Sequence, residues 1–156
     1  MFFADIGFNS QWYLSIIKFV KDKVMRKLDH IGIAVKSIEE ALKLYSGLLG
    51  YQPKGEEVIE ARGIKICFLD VNGTKIELLQ PIREDSEISK YLEKKGEGLH
   101  HLAYSVDNVQ EMIDKAKAME FTLLSDTPKP GAHNTLIVFM HPKSANGVLT
   151  EFIQHN

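Results

Sequence analysis

Two histidines and two glutamates occupy matching positions in two similar halves of this sequence. They are His30 and Glu77 in the first half, and His101 and Glu151 in the second. The segments that contain the two histidines, Asp29–Val35 and His100–Val106, align at an offset of 71 residues. Imidazole nitrogen and carboxylate oxygen are common ligands of divalent Mn, Co, Ni and Zn. The four side chains are therefore candidate ligands of one divalent metal ion.

A duplicated unit puts equivalent residues on equivalent strands, so a pseudo-twofold axis between the halves would bring the four side chains together. Side chains alternate along a strand, so His100 and His101 point to opposite faces and only His101 enters the shared cavity. Glu77 and Glu151 stand in otherwise apolar strands. Burying a carboxylate there is costly unless it is paired or coordinated.

The two halves have the same predicted order of elements. In the first half, Leu28–Val35 is an apolar strand, and Ser37 followed three residues later by Glu40 is typical of a capping box that starts a helix. Asn72 and Gly73 predict a hairpin turn between two later strands. In the second half we expect a strand at 102–106, a helix capped by Asp107 or Asn108, and strands at 122–124, 135–140 and 148–153.

These patterns predict an α+β fold in which two tandem βαβββ modules form a half-open mixed β-sheet barrel around a metal-binding cavity. Residues 28–154 form the single predicted domain, with modules at 28–81 and 100–154 and a linker at 82–99. Residues 1–27 are an N-terminal extension. That extension is either an amphipathic helix or an artefact of the chosen start codon.

Composition narrows the classes of partner. The chain has 156 residues, of which 44% are hydrophobic and 26% charged, which suits one globular domain. Its net charge of -2 offers no field that attracts nucleic acid or an anionic membrane. No segment is typical of a signal peptide or a membrane span. The single cysteine, Cys67, lies in an apolar run and indicates a reducing compartment, so we expect a cytoplasmic location.

Four motifs together carry a family resemblance. They are the segments Leu28–Val35, Lys75–Pro81, Gly96–Ala103 and His141–Glu151. Over residues 28 to 154 the chain resembles the methylmalonyl-CoA epimerases, a group within the vicinal oxygen chelate superfamily that also includes glyoxalase I. The combination of GEGLHH with HPKS and GVLTE is characteristic of the epimerase group.

The resemblance implies a Co, Mn, Ni or Zn ion held by His30, Glu77, His101 and Glu151. It also implies interconversion of (2R)- and (2S)-methylmalonyl-CoA, a small-molecule acyl-CoA, by a homodimer. A metal beside the thioester oxygen would stabilise the enolate that forms when the α-proton is removed. Glu151 is the candidate catalytic residue, acting after it detaches from the metal or through its free oxygen.

Epimerisation needs a proton to return from the opposite face, so a second acid/base group is expected. Family members carry a glutamate on the strand that follows the turn at Gly63, but this chain has Ile66 there. The second base is therefore unassigned, although Glu57 and Glu60 are near in sequence. The turn around His133 is expected at the cavity mouth, with the His133 and His155 side chains solvated rather than catalytic.

Three other functions use related sites. A glyoxalase I type lactoylglutathione lyase would use the same four ligands and the same enolate chemistry, and stands as the alternative. Extradiol cleavage uses two histidines and one carboxylate, so the fourth ligand, Glu77, argues against it. Some members of the superfamily bind small molecules without a metal and need no metal-ligating residues. The complete set of four candidate metal ligands disfavours this function here.

Overall fold

The computed structural model describes residues 27–156, in which eight strands form one mixed sheet accompanied by three helices. The strands are β1 (Leu28–Ala34), β2 (Pro53–Ile59), β3 (Ile64–Val71), β4 (Thr74–Pro81), β5 (Gly98–Ser105), β6 (Lys129–Pro130), β7 (Leu136–Met140) and β8 (Thr150–Gln154). The helices are α1 (Ile38–Leu42, continued by the π-helical segment Lys43–Leu48), α2 (Glu87–Lys95) and α3 (Val109–Ala118). Our two interpretations of the N-terminal extension concern residues outside the described range.

The strand order is β2-β3-β4-β1-β5-β8-β7-β6, which is symmetric about the β1–β5 pair. Within each half the first strand pairs in parallel with the last, β1 with β4 and β5 with β8. The two halves meet where β1 and β5 run antiparallel. This arrangement confirms the predicted fold of two βαβββ modules forming a half-open mixed sheet.

Equivalent glutamines hold the first helix of each half against its sheet. The backbone N–H of Ile38 donates to the side-chain oxygen of Gln80 (2.8 Å), and that of Val109 donates to Gln154 (2.9 Å). The predicted caps also form, because the side chains of Ser37 and Asn108 accept from the backbone three residues on. The duplication therefore extends to the contacts that start the helices.

Helices α1 and α3 cover the same face of the sheet. Ile38 of α1 packs with buried residues of the first half such as Leu78, and Ile113 of α3 packs with Val138 in the second half. Because side chains alternate along strands, Glu77 next to Leu78 points to the other face. That other face is left to form the cavity.

The cavity face is closed at one end by apolar residues. Ile64, Ile66 and Leu79 pack there with Ile88 of α2, and all four are at most 1% exposed. Phe68 belongs to the same cluster and also lines the cavity. The linker helix α2 therefore closes the first half.

Two predicted elements differ from the observed ones. The strand predicted at 122–124 is only an isolated bridge between Leu123 and Met140, and the outer strand β6 is Lys129–Pro130. A turn closed by hydrogen bonds between Ser125 and Thr127 redirects the chain first. Proline has no N–H to donate, which keeps β6 short. The helix predicted to reach Leu49 changes to π-helical geometry after Leu42.

Among residues 27–156, no helix is both long enough and apolar enough to cross a lipid bilayer.

Candidate metal centre

The four candidate ligands lie on the four central strands of the sheet. His30 is on β1, Glu77 on β4, His101 on β5 and Glu151 on β8. Gly32 of β1 is in register with both Glu77 and His101, which aligns the two halves across the seam. Each of the four ligand candidates is between 2% and 6% exposed. The duplicated pattern thus brings two imidazoles and two carboxylates to one buried point.

The ligand atoms of these residues converge closely. The Nε2 atoms of His30 and His101 are 3.1 Å apart. Glu151 Oε2 lies 3.2 Å from His30 Nε2 and 3.0 Å from His101 Nε2. Glu77 Oε2 lies 3.6 Å and 3.5 Å from the same two nitrogens. One oxygen from each carboxylate therefore faces both imidazoles.

The electrostatics of this cluster favour positive charge at its centre. Burial alone would lower the pKa of His30, but the hydrogen bond to Asp29 and the contact with Glu151 raise it to about 10. Burial opposes ionisation of Glu151, yet hydrogen bonds from His101 and His30 lower its pKa to about 2. The proton on the His30 imidazole thus offsets part of the carboxylate charge. A divalent cation would supply the same charge at the same point.

The donor set fits a divalent transition-metal ion. Two neutral imidazoles and two carboxylates satisfy its charge, and such a set leaves coordination positions for substrate or water. Of the described residues, His30, Glu77 and His101 form a group whose ligand atoms lie within 4.8 Å of one another. The Glu151 oxygen is nearer to both nitrogens than the Glu77 oxygen is.

Asp29 orients the first imidazole. Its Oδ1 accepts from His30 Nδ1 at 2.9 Å, which directs the Nε2 lone pair into the cavity. Lys75 Nζ lies 3.3 Å from the same oxygen, and His155 Nε2 lies 2.6 Å from Oδ2. Although burial raises the pKa of Asp29, these three partners lower it well below its usual range. The expectation that His155 is a solvated side chain was therefore incomplete.

His100 takes the equivalent role for the second imidazole. Its Nδ1 is 2.9 Å from His101 Nδ1. Burial and the neighbouring His101 lower the pKa of His100 to about 3, so the ring is neutral and can accept this hydrogen bond. Strand alternation correctly kept His100 out of the cavity, but it did not reveal this contact. Asp29 and His100 occupy aligned positions in the two halves, and this alignment could have revealed the contact between His100 and His101.

Gly32 leaves the space that His101 occupies. A Cβ at this position would overlap the His101 imidazole ring. We predict that Gly32→Ala weakens Zn²⁺ or Co²⁺ binding about tenfold, because the added methyl group would push the His101 imidazole away from its position in the cluster. The same change should destabilise the metal-free protein by about 2 kcal/mol through overpacking.

Titration calorimetry and urea unfolding measure the two effects of Gly32→Ala. Gly47→Ala is the matched control, because the nearest atom to its added Cβ is a backbone oxygen 4.0 Å away. It should leave both quantities unchanged. Equal behaviour of the two variants would contradict the close approach of Gly32 and His101.

The cluster forms the floor of an open cavity. Phe68, Ile137 and Phe139 contribute apolar walls, and Arg62 and His133 stand among the polar residues. The two phenylalanines contact the ligand imidazoles edge-on, Phe68 with His30 and Phe139 with His101. A buried polar centre within apolar walls suits a small anionic substrate whose reaction must exclude water.

Comparison with known proteins identifies the family. Residues 29–139 match the model of the Glyoxalase/Bleomycin resistance protein/Dioxygenase superfamily. The chain belongs to this superfamily.

Within the glyoxalase superfamily, the chain is similar to named relatives and to a solved structure. Human mitochondrial methylmalonyl-CoA epimerase is 36% identical over 129 residues, covering 82% of this chain and 73% of the relative. The ethylmalonyl-CoA/methylmalonyl-CoA epimerase of Cereibacter sphaeroides is 37% identical over 130 residues, covering 82% and 97%. A Streptomyces coelicolor epimerase variant in complex with 2-nitronate-propionyl-CoA has a TM-score of 0.79 at 34% identity, covering 82% and 93%. The resemblance to the epimerases is confirmed.

In this glyoxalase-superfamily chain, Ile66 stands where the family resemblance led us to expect a glutamate. The side chain is fully buried in the apolar cluster, where a carboxylate has no place. Its cross-strand neighbour on β2 is Glu57. The carboxylate of Glu57 reaches the loop before β7 and contacts His133. Sequence reasoning missed this contact, which joins residues from different halves.

Proposed function

We propose that this protein is an isomerase that interconverts (2R)- and (2S)-methylmalonyl-CoA by removing and returning the proton alpha to the thioester. The observation that carries the proposal is the convergence of two imidazoles and two carboxylates in one cavity. Ligand atoms of the four residues approach one another to between 3.0 and 3.6 Å. The similarity to named methylmalonyl-CoA epimerases over four fifths of the chain supports the substrate class.

We further propose that His30, Glu77, His101 and Glu151 together hold a divalent Co, Mn, Ni or Zn ion. When bound, the ion supplies positive charge beside the thioester oxygen, where negative charge develops as the proton leaves. Asp29 and His100 hold the two imidazoles in the tautomer that coordination needs. The apolar walls exclude water from the reacting carbon.

Glu151 is the residue we assign to proton transfer on one face of the α-carbon. Its carboxylate is 4% exposed and remains ionised, because hydrogen bonds from both imidazoles outweigh its burial and lower its pKa. Such a group can take a proton through the oxygen not engaged by the imidazoles.

Proton NMR in deuterated water tests the function. Metal-loaded protein should remove the α-proton signal of methylmalonyl-CoA, and a chiral assay should show conversion of one epimer to the other. Ethylmalonyl-CoA serves as a second acyl-CoA, and the hemithioacetal of glutathione and methylglyoxal tests the glyoxalase I alternative. Turnover of the hemithioacetal without exchange of methylmalonyl-CoA would overturn the epimerase proposal.

The remaining expectations are also proposals. We propose that residues 28–154 act as one domain, that the protein works in the cytoplasm, and that two copies form a homodimer. Light scattering of the purified chain tests the last point. A mass of one chain at micromolar concentration would contradict the dimer.

A further inference from the structure

An epimerase needs acid/base groups on both faces of the substrate's α-carbon. Glu151 approaches from β8 in the second half, so the second group is required on the opposite wall. On β3, Phe68 lines that wall and Ile66 is buried in the same apolar cluster, and neither can transfer a proton. The second group must therefore come from an element that packs against β3.

The side chains of Glu57 and His133 are in contact beside this wall. Glu57 stands directly across from Ile66 in the β2–β3 ladder. Its Oε2 is 3.0 Å from His133 Nδ1 and accepts the His133 backbone N–H at 3.2 Å. The His133 ring packs against Phe68 with 5.1 Å between centroids. The imidazole is thus held at the wall that faces the cluster.

The tautomer of His133 follows from this pairing. Nδ1 lies 3.0 Å from the Glu57 carboxylate, so the proton of a neutral ring is favoured on Nδ1 and its lone pair on Nε2. Within residues 27–156, Nε2 has no hydrogen-bond partner, and His133 lines the same cavity as all four candidate ligands. A histidine that lines a substrate cavity, with one ring nitrogen beside a carboxylate and the other without a protein partner, has the arrangement of a general base.

The backbone of His133 is also unusual. Its φ of 50° and ψ of 40° lie in the left-handed region, and Asn134 follows with a φ of 58°. Side chains other than glycine rarely adopt this conformation, and strain of this kind clusters at functional sites. The turn is closed by Gly131 N–H to Thr135 O at 3.0 Å. The chain therefore retains an unfavourable conformation that presents His133 at the cavity.

We propose that His133, oriented by Glu57, is the second acid/base group of the epimerase and replaces the glutamate that Ile66 displaces. The inference rests on the proposed function. In one direction Glu151 takes the α-proton, the C–H electron pair moves into the thioester, and protonated His133 returns a proton to the opposite face. In the other direction neutral His133 takes the proton and protonated Glu151 returns one.

Single-epimer exchange tests this role. Each pure epimer of methylmalonyl-CoA is incubated in deuterated water with metal-loaded wild type or His133→Gln. We expect the variant to epimerise at least about 100-fold more slowly, the scale of losing one general acid/base group. It should still exchange the α-proton of the epimer that faces Glu151, within about fivefold of wild type, and lose exchange of the other epimer. A structural role would lower both exchanges together.

Glu57→Gln should slow epimerisation about tenfold or more, since it removes the group that orients His133. As in His133→Gln, exchange of the epimer that faces Glu151 should be retained and exchange of the other epimer reduced. Glu56→Gln is the matched control on the same strand, because Glu56 pairs with Lys65 rather than with the cavity. His141→Gln controls for loss of a histidine outside the cavity. Both controls should behave as wild type.

The outcomes separate this inference from the proposed function. Wild type that exchanges neither epimer overturns the proposed function itself. Active wild type with His133→Gln epimerising within threefold overturns only the role of His133. Equal loss of both exchanges in His133→Gln also overturns it, because this shows a folding or binding defect.

Discussion

Glu151→Gln will lower epimerisation, and α-proton exchange of the epimer whose proton faces Glu151, by about 10³-fold, the middle to upper range for a general acid/base group. Glutamine keeps the size of the side chain and an oxygen that can coordinate metal, but its neutral amide cannot take the substrate proton. The loss therefore isolates proton transfer from packing. Exchange from each pure epimer, measured by proton NMR, gives the rate.

Glu77→Gln is the matched comparison for this variant. Both glutamates are buried in the cluster and face both imidazoles, but only Glu151 is assigned to proton transfer. We expect Glu77→Gln to lower the rate of epimerisation about tenfold, mainly because the variant binds the metal more weakly. Elemental analysis of both proteins shows whether metal occupancy is equal. Full occupancy with more than a tenth of wild-type exchange of the Glu151-facing epimer in Glu151→Gln would refute the role of Glu151.

The second large effect is on stability. Metal at 100 times its Kd should stabilise the folded protein by about 2.7 kcal/mol, because the assembled cluster exists only in the folded state. At about 3 °C per kcal/mol, this raises Tm by about 8 °C. Calorimetry of the metal-stripped protein with added Co²⁺, Mn²⁺, Ni²⁺ or Zn²⁺ measures the shift. His30→Ala should abolish it, whereas His133→Gln should retain it in full.

The metal affinity should also depend on pH. The pKa of His30 in the metal-free cluster is raised to about 10, so the ring carries a proton at neutral pH that must leave when metal binds. Lower pH therefore weakens binding, and titrations at pH 6, 7 and 8 should show Kd falling as pH rises. An affinity independent of pH, or a full Tm shift in His30→Ala, would contradict this ligand set.

The duplicated sequence was sufficient to predict the four candidate ligands and their meeting point. Equivalent positions fix strand and face at once, so His30 and His101 had to share a cavity if the halves packed symmetrically. The turn at Asn72 and Gly73 was predictable because both residues accept the positive φ that the structure shows, 51° and 96°. The N-caps at Ser37 and Asn108 were visible for a similar local reason.

Contacts between halves were beyond the reach of these patterns. The pair formed by Glu57 and His133 joins an outer strand of one half to a loop of the other, and periodicity gives no information about that packing. Strand β6 was misplaced because the Ser125 turn, rather than the propensity of the preceding residues, decides where pairing begins. Tertiary packing overrides local preference at both places.

The seam between β1 and β5 has a consequence for how such a centre can arise. Each half contributes one histidine and one glutamate, so two separate copies of an unfused ancestral half could build the same cluster by pairing face to face. In that assembly one gene would encode both copies, so each residue would have to suit its position in both halves of the site. Fusion removes that constraint, and the aligned positions now differ where the environments differ: Asp29 corresponds to His100, and Gly32 to Ala103. Linking the copies allowed a symmetric scaffold to acquire two chemically distinct sides.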